Sequence, residues 1–261
     1  MRILITGASD GIGGAAALRL AEDRQRAGGA ARIVLANSGR RPLPPALLEA
    51  LAGFGAEVHH VAADLADVEA ARGLARAALE RLGGMDCFVS NAGAMAGGPL
   101  KDLDVAAWDR LFDVNLRPTL VIAQELYPTL RDGGGTIVAT SSMTGELPLP
   151  SGGAYSASKA ALSMLIRQMA QEWGPDGIRA NAVAPGMIRT SLTERTYQDE
   201  AIHRGRRDLV PLRRIGTAEE IGNVIAFLAG PQSAYVNGQV LVADGGFVSA
   251  MLGQMPMPAP G

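Results

Sequence analysis

Short apolar runs alternate with longer helical patterns along nearly the whole chain, and this alternation restricts the fold more than any other feature of the sequence. Seven runs are predicted strands, namely Ile3–Thr6, Arg32–Ala36, Glu57–Ala62, Cys87–Ser90, Thr136–Ser141, Arg179–Val183 and Val240–Ala243. Helices are predicted from Ile12 and over Pro44–Ala52, Val68–Leu82, Val105–Leu130, Tyr155–Trp173 and Ala218–Leu228. Strands that alternate with helices form βαβ units, and strands that are apolar throughout are buried on both faces. We therefore expect an α/β fold with a doubly wound, parallel, seven-stranded sheet and helices on both faces.

Two stretches interrupt this alternation. The segment from Thr190 to Pro211 is polar and only weakly periodic, which is typical of either a mobile lid over a site or a surface excursion. The chain from Gly253 onward is rich in proline, which opposes regular structure, so this segment is either disordered or lies on a neighbouring subunit. We expect one domain over residues 1–252 and a flexible tail over residues 253–261.

Composition excludes several classes of protein. The formal net charge of −2 and the sequence pI of about 6.0 argue against a nucleic-acid surface, which is usually strongly basic. Cys87 is the one cysteine, so an intramolecular disulfide is excluded, and its apolar run predicts that it is buried. A predicted strand starts almost at the N-terminus, which leaves no space for a signal peptide, and no apolar stretch reaches transmembrane length. We expect a cytoplasmic protein without nucleic-acid or membrane partners.

A glycine-rich turn follows the first predicted strand and opens a helix, with the sequence Thr6-Gly7-Ala8-Ser9-Asp10-Gly11-Ile12-Gly13. Glycine permits positive φ and lets the backbone approach a ligand closely. The free N–H groups and the dipole of a helix N-terminus favour a pyrophosphate. Taken alone, the turn is equally consistent with a structural role, since its spacing differs from the G-x-G-x-x-G dinucleotide pattern.

A tyrosine and a lysine form the strongest candidate for proton chemistry. Tyr155 and Lys159 are separated by one helical turn, so a helix places them on one face. A free tyrosine has a pKa of about 10 and is a poor base near neutral pH. A nearby ammonium group favours the phenolate and lowers that pKa. Without further context, however, such a pair is usually an ordinary surface pair.

The histidines support neither a hydrolase nor a metal site. No motif places His59, His60 or His203 near Ser142, so a Ser-His-acid hydrolase has no support. His59 and His60 are adjacent in a predicted strand, so their side chains point to opposite faces and cannot readily share one metal ion. We interpret both as edge or surface residues and expect no metal.

The glycine-rich turn and the Tyr155–Lys159 pair belong to a longer series of motifs. In this series the sequence resembles the short-chain dehydrogenase/reductase family, in its 3-oxoacyl-(acyl-carrier-protein) reductase-like branch. After the turn, the series continues in order with Asp64-Leu65, Asn91-Ala92-Gly93, Asn115, Ser142, Tyr155-Ser-Ala-Ser-Lys159, Pro185-Gly186-Met187-Ile188-Arg189-Thr190 and Asp244-Gly245-Gly246. The resemblance covers nearly the whole chain. It implies a single-domain Rossmann-type fold and an NAD(P)-dependent oxidoreductase that exchanges a hydride between nicotinamide and a carbonyl or secondary alcohol.

The resemblance assigns roles to four side chains. Tyr155 would be the acid in reduction and the base in oxidation, and Lys159 would also bind the nicotinamide ribose. Ser142, rather than the strand-end residue Ser141, would orient the substrate carbonyl and stabilise its developing negative charge. Asn115 would hold a water through a local helix distortion and extend a proton relay to Lys159, although a local hydrogen bond is an alternative role for it.

The resemblance also implies a set of cofactor contacts. The set comprises Gly7, Ser9, Asp10, Gly11, Ile12, Gly13, Asn37, Ser38, Arg40, Asp64, Leu65, Asn91, Ala92, Gly93, Tyr155, Lys159, Pro185, Gly186, Ile188 and Thr190. In such sites an acid at the end of the second strand binds the ribose hydroxyls of NAD. Asn37 occupies this place and is neutral, while Ser38 with Arg40 or Arg41 suits the additional phosphate of NADP. Asp10 argues the other way, because NADP-preferring relatives often carry a basic residue there. We favour NADP over NAD.

Three loops are expected to contact the substrate, over residues 94–98, 143–153 and 187–211. The expected contacts are Ser142, Met143, Tyr155 and Met187, and the further apolar residues of the loops are Met95, Leu147, Leu149 and Leu192. This apolar character favours a hydrophobic or medium-sized carbonyl compound, as for a ketoreductase or alcohol dehydrogenase.

Two alternative functions remain. A 3-oxoacyl-(acyl-carrier-protein) reductase of fatty-acid synthesis is one, although Asp176 lies where such reductases tend to be basic. A non-catalytic nucleotide-sensing binding protein is the other, but such proteins typically lack the tyrosine or the lysine. The resemblance further implies a homotetramer or homodimer that assembles through the long helices predicted at 105–130 and 155–173 and through the C-terminal strand.

Overall fold

Nine strands and nine α-helices make up most of the regular structure of the described part of the chain. The structure is a computed structural model and describes residues 1–191 and 193–250. In order, the elements are β1 (Arg2–Thr6), α1 (Gly11–Arg26), β2 (Arg32–Asn37), α2 (Pro45–Gly53), β3 (Glu57–Ala62), α3 (Val68–Leu82), β4 (Cys87–Ser90), α4 (Val105–Asn115), α5 (Arg117–Gly133), β5 (Thr136–Thr140), α6 (Tyr155–Trp173), β6 (Arg179–Pro185), β7 (Ile188–Arg189), α7 (Glu194–Tyr197), α8 (Glu200–Leu209), β8 (Gly216–Thr217), α9 (Ala218–Ala229) and β9 (Val240–Ala243). None of the helices in this part is both long and apolar enough to cross a membrane.

Seven of the strands form one parallel sheet, which confirms the predicted fold class. Their order is β3-β2-β1-β4-β5-β6-β9. The chain moves outward from β1 to β3 and then returns to β4 on the other side of β1. A parallel sheet leaves a crevice where its winding direction reverses, at the carboxyl ends of the strands, and ligands bind there. The glycine-rich turn after β1 and the Asn91 turn after β4 both lie at this crevice.

Helices cover both faces of the sheet, so alternate residues of the inner strands are buried in different cores. Leu4 and Phe88 pack with residues of α3, α5 and α6 on one face. Ile5 and Val89 pack with residues of α1, α2 and α9 on the other. All four side chains are fully buried, and burial of such a side chain stabilises the fold by about 1.5–3 kcal/mol. The sheet is therefore a rigid base for the turns at its carboxyl edge.

The prediction of one helix over Val105–Leu130 is wrong, because α4 ends at Asn115 and α5 begins at Arg117. Leu116 separates them with φ −122° and ψ −61°. Pro118 has no N–H to continue the hydrogen-bond ladder, and the Asn115 side chain is bonded to Ala94 instead of to its own helix. The apolar periodicity continues across this break and therefore predicts one helix, whereas the distortion at Asn115 is expected from the family resemblance alone.

The polar stretch from Thr190 to Pro211 contains two helices, α7 and α8, that the sequence analysis does not predict. Asp199 caps α8, since its Oδ1 accepts hydrogen bonds from the N–H groups of Ala201 (2.9 Å) and Ile202 (3.1 Å). None of the residues of α8 is buried, and its apolar side chains Ile202 and Leu209 are exposed. Leu192, the predicted domain end at residue 252 and the predicted tail over residues 253–261 lie outside the described residues.

Candidate active site

The glycine-rich turn passes so close to the β4 turn that a side chain would not fit. A Cβ added to Gly13 would lie 2.5 Å from the carbonyl oxygen of Gly7 and 2.7 Å from Nδ2 of Asn91. Real Cβ atoms essentially never approach other atoms this closely. Glycine at this position therefore allows α1 to start directly against the turn, with its N-terminal N–H groups at the crevice.

Asn91 ties the carboxyl ends of three neighbouring strands together. Its Nδ2 donates to the carbonyl oxygens of Thr6 (3.2 Å) and Gly7 (3.0 Å), and its Oδ1 accepts from Oγ1 of Thr140 (3.0 Å). The Oγ1 of Thr6 accepts hydrogen bonds from the N–H groups of Asn91 (3.0 Å) and Ala92 (3.1 Å). The sequence analysis missed Thr6 and Thr140. Both threonines are polar residues at the last position of an apolar strand, and this position could have indicated a role at the site.

Gly93 lies between the glycine-rich turn and the catalytic candidates. A Cβ added to Gly93 would lie 3.3 Å from both Oδ1 of Asn115 and Nζ of Lys159, so a glycine here keeps the approach to the lysine open. The first turn of α1 contains no acidic residue, and a helix N-terminus of this kind attracts phosphate oxygens. Thr190 lies on the opposite side of the crevice, where its Cβ would contact a Cβ added to Gly11 at 3.5 Å.

Lys159 is buried beside Tyr155 at the start of α6. The Nζ of Lys159 lies 5.9 Å from the centre of the Tyr155 ring and donates a hydrogen bond to the carbonyl oxygen of Thr140 (2.8 Å). Burial lowers the pKa of Lys159 to about 8. Burial also raises the pKa of Tyr155, and a hydrogen bond with Ser142 lowers it by less. Desolvation thus favours the neutral form of each group on its own. An ammonium and a phenolate that are present together would stabilise each other by their opposite charges.

Two adjacent serines differ in the direction of their hydroxyl groups. The Oγ of Ser142 accepts hydrogen bonds from the N–H (3.2 Å) and Oγ1 (3.0 Å) of Thr144, so its own proton is left to be shared with Tyr155 or a substrate oxygen. The Oγ of Ser141 donates to the carbonyl oxygen of Lys159 (3.0 Å) and is bonded to Oγ of Ser163 (2.8 Å). The hydroxyl proton of Ser142 therefore stays available, whereas Ser141 joins β5 to α6.

Asn115 connects the loop after β4 to the helix that carries Tyr155. Its Oδ1 accepts from the N–H of Ala94 (2.7 Å), and its Nδ2 donates to the carbonyl oxygen of Ala94 (3.0 Å) and to Oγ of Ser158 (3.0 Å). Ser158 in turn donates to the carbonyl oxygen of Tyr155 (2.8 Å). The expected helix distortion at Asn115 is present, while the water relay stays a prediction. Ser158 is a further polar residue of the site that the sequence analysis missed.

Asn37 lies at the end of β2, where it joins the glycine-rich turn to the loop that follows. Its Nδ2 donates to Oγ of Ser9 (2.9 Å) and to the carbonyl oxygen of Arg41 (3.1 Å). Ser38 and Arg40 are exposed on this loop. Asn37, Ser38 and Arg40, from which the sequence predicts the NAD or NADP preference, thus lie together at the end of β2.

The other predicted cofactor residues lie in turns along the same edge of the sheet. Asp64 and Leu65 follow β3, where Oδ1 of Asp64 accepts from the N–H of Ala66 (3.1 Å). Pro185 ends β6, and the N–H of Gly186 donates to the carbonyl oxygen of Ala243 at the end of β9 (3.0 Å). Ile188 begins β7.

Two of the predicted substrate loops are joined to each other. The N–H of Gly98 donates to the carbonyl oxygen of Ser151 (2.7 Å), and the N–H of Gly153 donates to the carbonyl oxygen of Gly98 (3.2 Å). Met95 and Leu149 are exposed on these loops. Met187, in the third loop, lines a separate cavity of about 470 Å³ beside α9 and β9.

Comparisons with known proteins agree with this geometry. A family profile described as Enoyl-(Acyl carrier protein) reductase matches residues 7–248. Dehydrogenase/reductase SDR family member 4 of Bos taurus is 33% identical over 248 residues, which cover 94% of this chain and 86% of the bovine protein. The crystal structure of levodione reductase superposes with a TM-score of 0.87 at 32% identity, over 95% of this chain and 97% of that one. A 7α-hydroxysteroid dehydrogenase complexed with NADH and 7-oxo glycochenodeoxycholic acid gives a TM-score of 0.84 at 29% identity, over 94% and 92% of the two chains.

Proposed function

Because the chain belongs to the short-chain dehydrogenase/reductase family, and is thus an NAD(P)-dependent oxidoreductase acting on carbonyl or alcohol groups, we propose that Tyr155 is its proton donor and acceptor. One observation carries this assignment. The buried Lys159 lies one helical turn from Tyr155, with its Nζ 5.9 Å from the centre of the tyrosine ring and bonded to the carbonyl oxygen of Thr140. Lys159 is 3% exposed, and lysines are rarely buried to this extent. A buried lysine whose pKa is lowered is a candidate functional group.

The side chains divide the proton chemistry among them. The bound nicotinamide supplies or accepts the hydride. In reduction, Tyr155 gives its hydroxyl proton to the carbonyl oxygen, while the hydroxyl of Ser142 holds that oxygen and stabilises its negative charge. The ammonium group of Lys159 then stabilises the phenolate that remains. Oxidation of an alcohol follows the same steps in reverse.

NADP is the cofactor that the β2 end favours. Asn37 brings no negative charge to the place where an acid binds the ribose hydroxyls of NAD. Ser38, Arg40 and Arg41 are exposed beside it, and donors of this kind suit a phosphate. Asp10 in the glycine-rich turn opposes this assignment, since its carboxylate would repel a phosphate.

A ketone with an apolar body is the proposed substrate class, since exposed apolar side chains such as Met95 and Leu149 lie on the joined loops. Carrier-protein reduction is less well supported. Asp176, at the end of α6, accepts a hydrogen bond from the hydroxyl of Tyr127 (2.5 Å), so a carboxylate lies where docking to an acidic carrier would need a base.

A ketone panel tests the proposed function directly. We expect purified enzyme to oxidise NADPH with alicyclic or aromatic ketones, and to turn over hydrophilic sugars far more slowly. Loss of nicotinamide absorbance measures the rate, and quenching of cofactor fluorescence measures Kd. Cofactor binding without turnover of any ketone or alcohol in the panel would contradict the proposal and support the nucleotide-sensing alternative.

Replacing Ser142 by alanine is expected to lower kcat by about 10²–10³-fold, because a hydrogen-bond donor to the developing oxyanion is lost. Ser141→Ala is the matched control. It removes the link between β5 and α6, so it is expected to lower the free energy of unfolding by about 1 kcal/mol while changing kcat much less. Steady-state kinetics and urea unfolding on both variants separate the two roles. A larger loss of kcat in Ser141→Ala would reverse the assignment.

We further propose that residues 1–252 form one catalytic unit that assembles as a homotetramer or homodimer. Apolar side chains that are exposed in the single chain support this, among them Val105 on α4 and Met164 on α6.

A further inference from the structure

His60 lies on β3, the edge strand of the sheet, yet it reaches the cofactor end of β2. Its Nε2 is 3.0 Å from Oδ1 of Asn37. In the parallel register, His60 pairs with Leu35, and Asn37 lies two residues beyond Leu35 on the same face. His59 points to the opposite face and bonds Oε1 of Glu57 (2.8 Å) instead. The two adjacent histidines therefore have different surroundings, and one of them contacts the candidate cofactor site.

The partners of Asn37 fix the orientation of its amide. The N–H of Gly39 can only donate, so the atom that it meets at 2.8 Å is Oδ1. The carbonyl oxygen of Arg41 can only accept, so the atom that it meets at 3.1 Å is Nδ2. Oδ1 can only accept, so Nε2 of His60 carries a proton and donates. Oδ1 thus accepts two hydrogen bonds and Nδ2 donates two, the second going to Oγ of Ser9.

This arrangement has two consequences for a bound dinucleotide. The two lone pairs of Oδ1 are already occupied, so Asn37 has little capacity to accept the ribose hydroxyls that an acid at this place would bind. Ser9 accepts from Asn37, so its own hydroxyl proton is left to donate outward. The amide also closes the loop over residues 38–41, because it bonds Gly39 at one end and Arg41 at the other. Ser9 and the loop over residues 38–41 then present hydrogen-bond donors and the positive charge of Arg40 and Arg41, which match a phosphate monoester.

We propose that His60 is a positioning residue for cofactor selection. By donating to Oδ1 of Asn37, it anchors the amide and its loop to the neighbouring strand in the arrangement that receives the 2′-phosphate of NADP. The structure gives the Asn37 side-chain amide four hydrogen bonds, and the bond from His60 is the one that comes from β3. The inference rests on the proposed NADP site.

His60→Leu tests the inference, with His59→Leu as the matched control on the same strand. We expect His60→Leu to raise the Kd of NADPH by about three- to tenfold, the value of one hydrogen bond, and to leave the Kd of NADH nearly unchanged. His60→Gln restores an N–H donor and is expected to recover most of the loss. His59→Leu is expected to keep the wild-type ratio of the two Kd values. Fluorescence titration of each variant with both cofactors gives the ratio.

A second background shows whether His60 acts through Asn37. In an Asn37→Ala enzyme, the His60→Leu change is expected to have no further effect on the ratio of the two Kd values. An unchanged ratio in His60→Leu, an equal loss for both cofactors, or a full effect in the Asn37→Ala background would each overturn the inference. If the wild-type enzyme binds NADH more tightly while His60→Leu still shifts the ratio through Asn37, the proposed NADP preference fails and the positioning role stands.

Discussion

Replacement of Tyr155 by phenylalanine is expected to slow ketone reduction by about 10²–10⁴-fold, because general acid catalysis by the hydroxyl is removed. The change deletes one oxygen and keeps the ring. The contact of the ring with Lys159, whose Nζ lies 5.9 Å from the ring centre, is retained. The hydrogen bond from Lys159 to the carbonyl oxygen of Thr140 does not involve the tyrosine hydroxyl either. Cofactor binding is therefore expected to be preserved.

The measurement is kcat with saturating NADPH, together with the Kd of NADPH for the same protein. Tyr127→Phe is the matched control. It also removes a hydrogen-bonded phenol hydroxyl, the one donated to Asp176, which lies at the end of α6 that is remote from Tyr155. Its kcat is expected to stay close to that of the wild type. A Tyr155→Phe enzyme with at least a tenth of wild-type kcat would mean that another group transfers the proton.

The parts of the fold that follow from local signals were predicted from the sequence. Most of the seven sheet strands are apolar runs bounded by turn residues, and the structure has all seven. The break at Leu116 has a different origin. Asn115 leaves the hydrogen bonding of its own helix for Ala94, which lies 21 residues earlier in the chain, and no local pattern records such a contact. Helix α8 was not predicted for another reason, since it is mostly polar and none of its residues is buried.

The candidate site shows the same division. Tyr155, Lys159 and Ser142 were found through motifs, which combine residue type with spacing along one segment. His60 was interpreted as an edge or surface residue, and it is indeed on the edge strand. Its bond to Asn37 depends on the register of β2 against β3, 23 residues apart in sequence. Register and loop closure are tertiary properties, so the sequence indicates the candidate catalytic residues but not the contact between His60 and Asn37.

Replacing Gly13 by alanine is expected to weaken cofactor binding by at least about tenfold and to destabilise the protein. The added Cβ would lie 2.5 Å from the carbonyl oxygen of Gly7 and 2.7 Å from Nδ2 of Asn91. Neither neighbour moves freely, because Asn91 is bonded to Thr6, Gly7 and Thr140. Relief of the clash must shift the turn and the start of α1, and the hydrogen bonds to a pyrophosphate depend on that geometry. Overpacking of this kind lowers the free energy of unfolding by about 1–3 kcal/mol.

Gly14→Ala is the matched control, since the same methyl group is added one residue later in the same helix. A Cβ at Gly14 would meet its nearest neighbour, Cδ2 of Leu47, at 3.7 Å, which is ordinary van der Waals contact. Alanine in a helix interior is favoured over glycine by about 0.5–1 kcal/mol, so this variant is expected to gain stability and to bind NADPH with unchanged Kd. Urea unfolding and fluorescence titration compare the two. If Gly13→Ala loses both stability and NADPH affinity while Gly14→Ala gains stability and keeps its affinity, the pyrophosphate binds at this turn. Equal affinities would place the cofactor elsewhere.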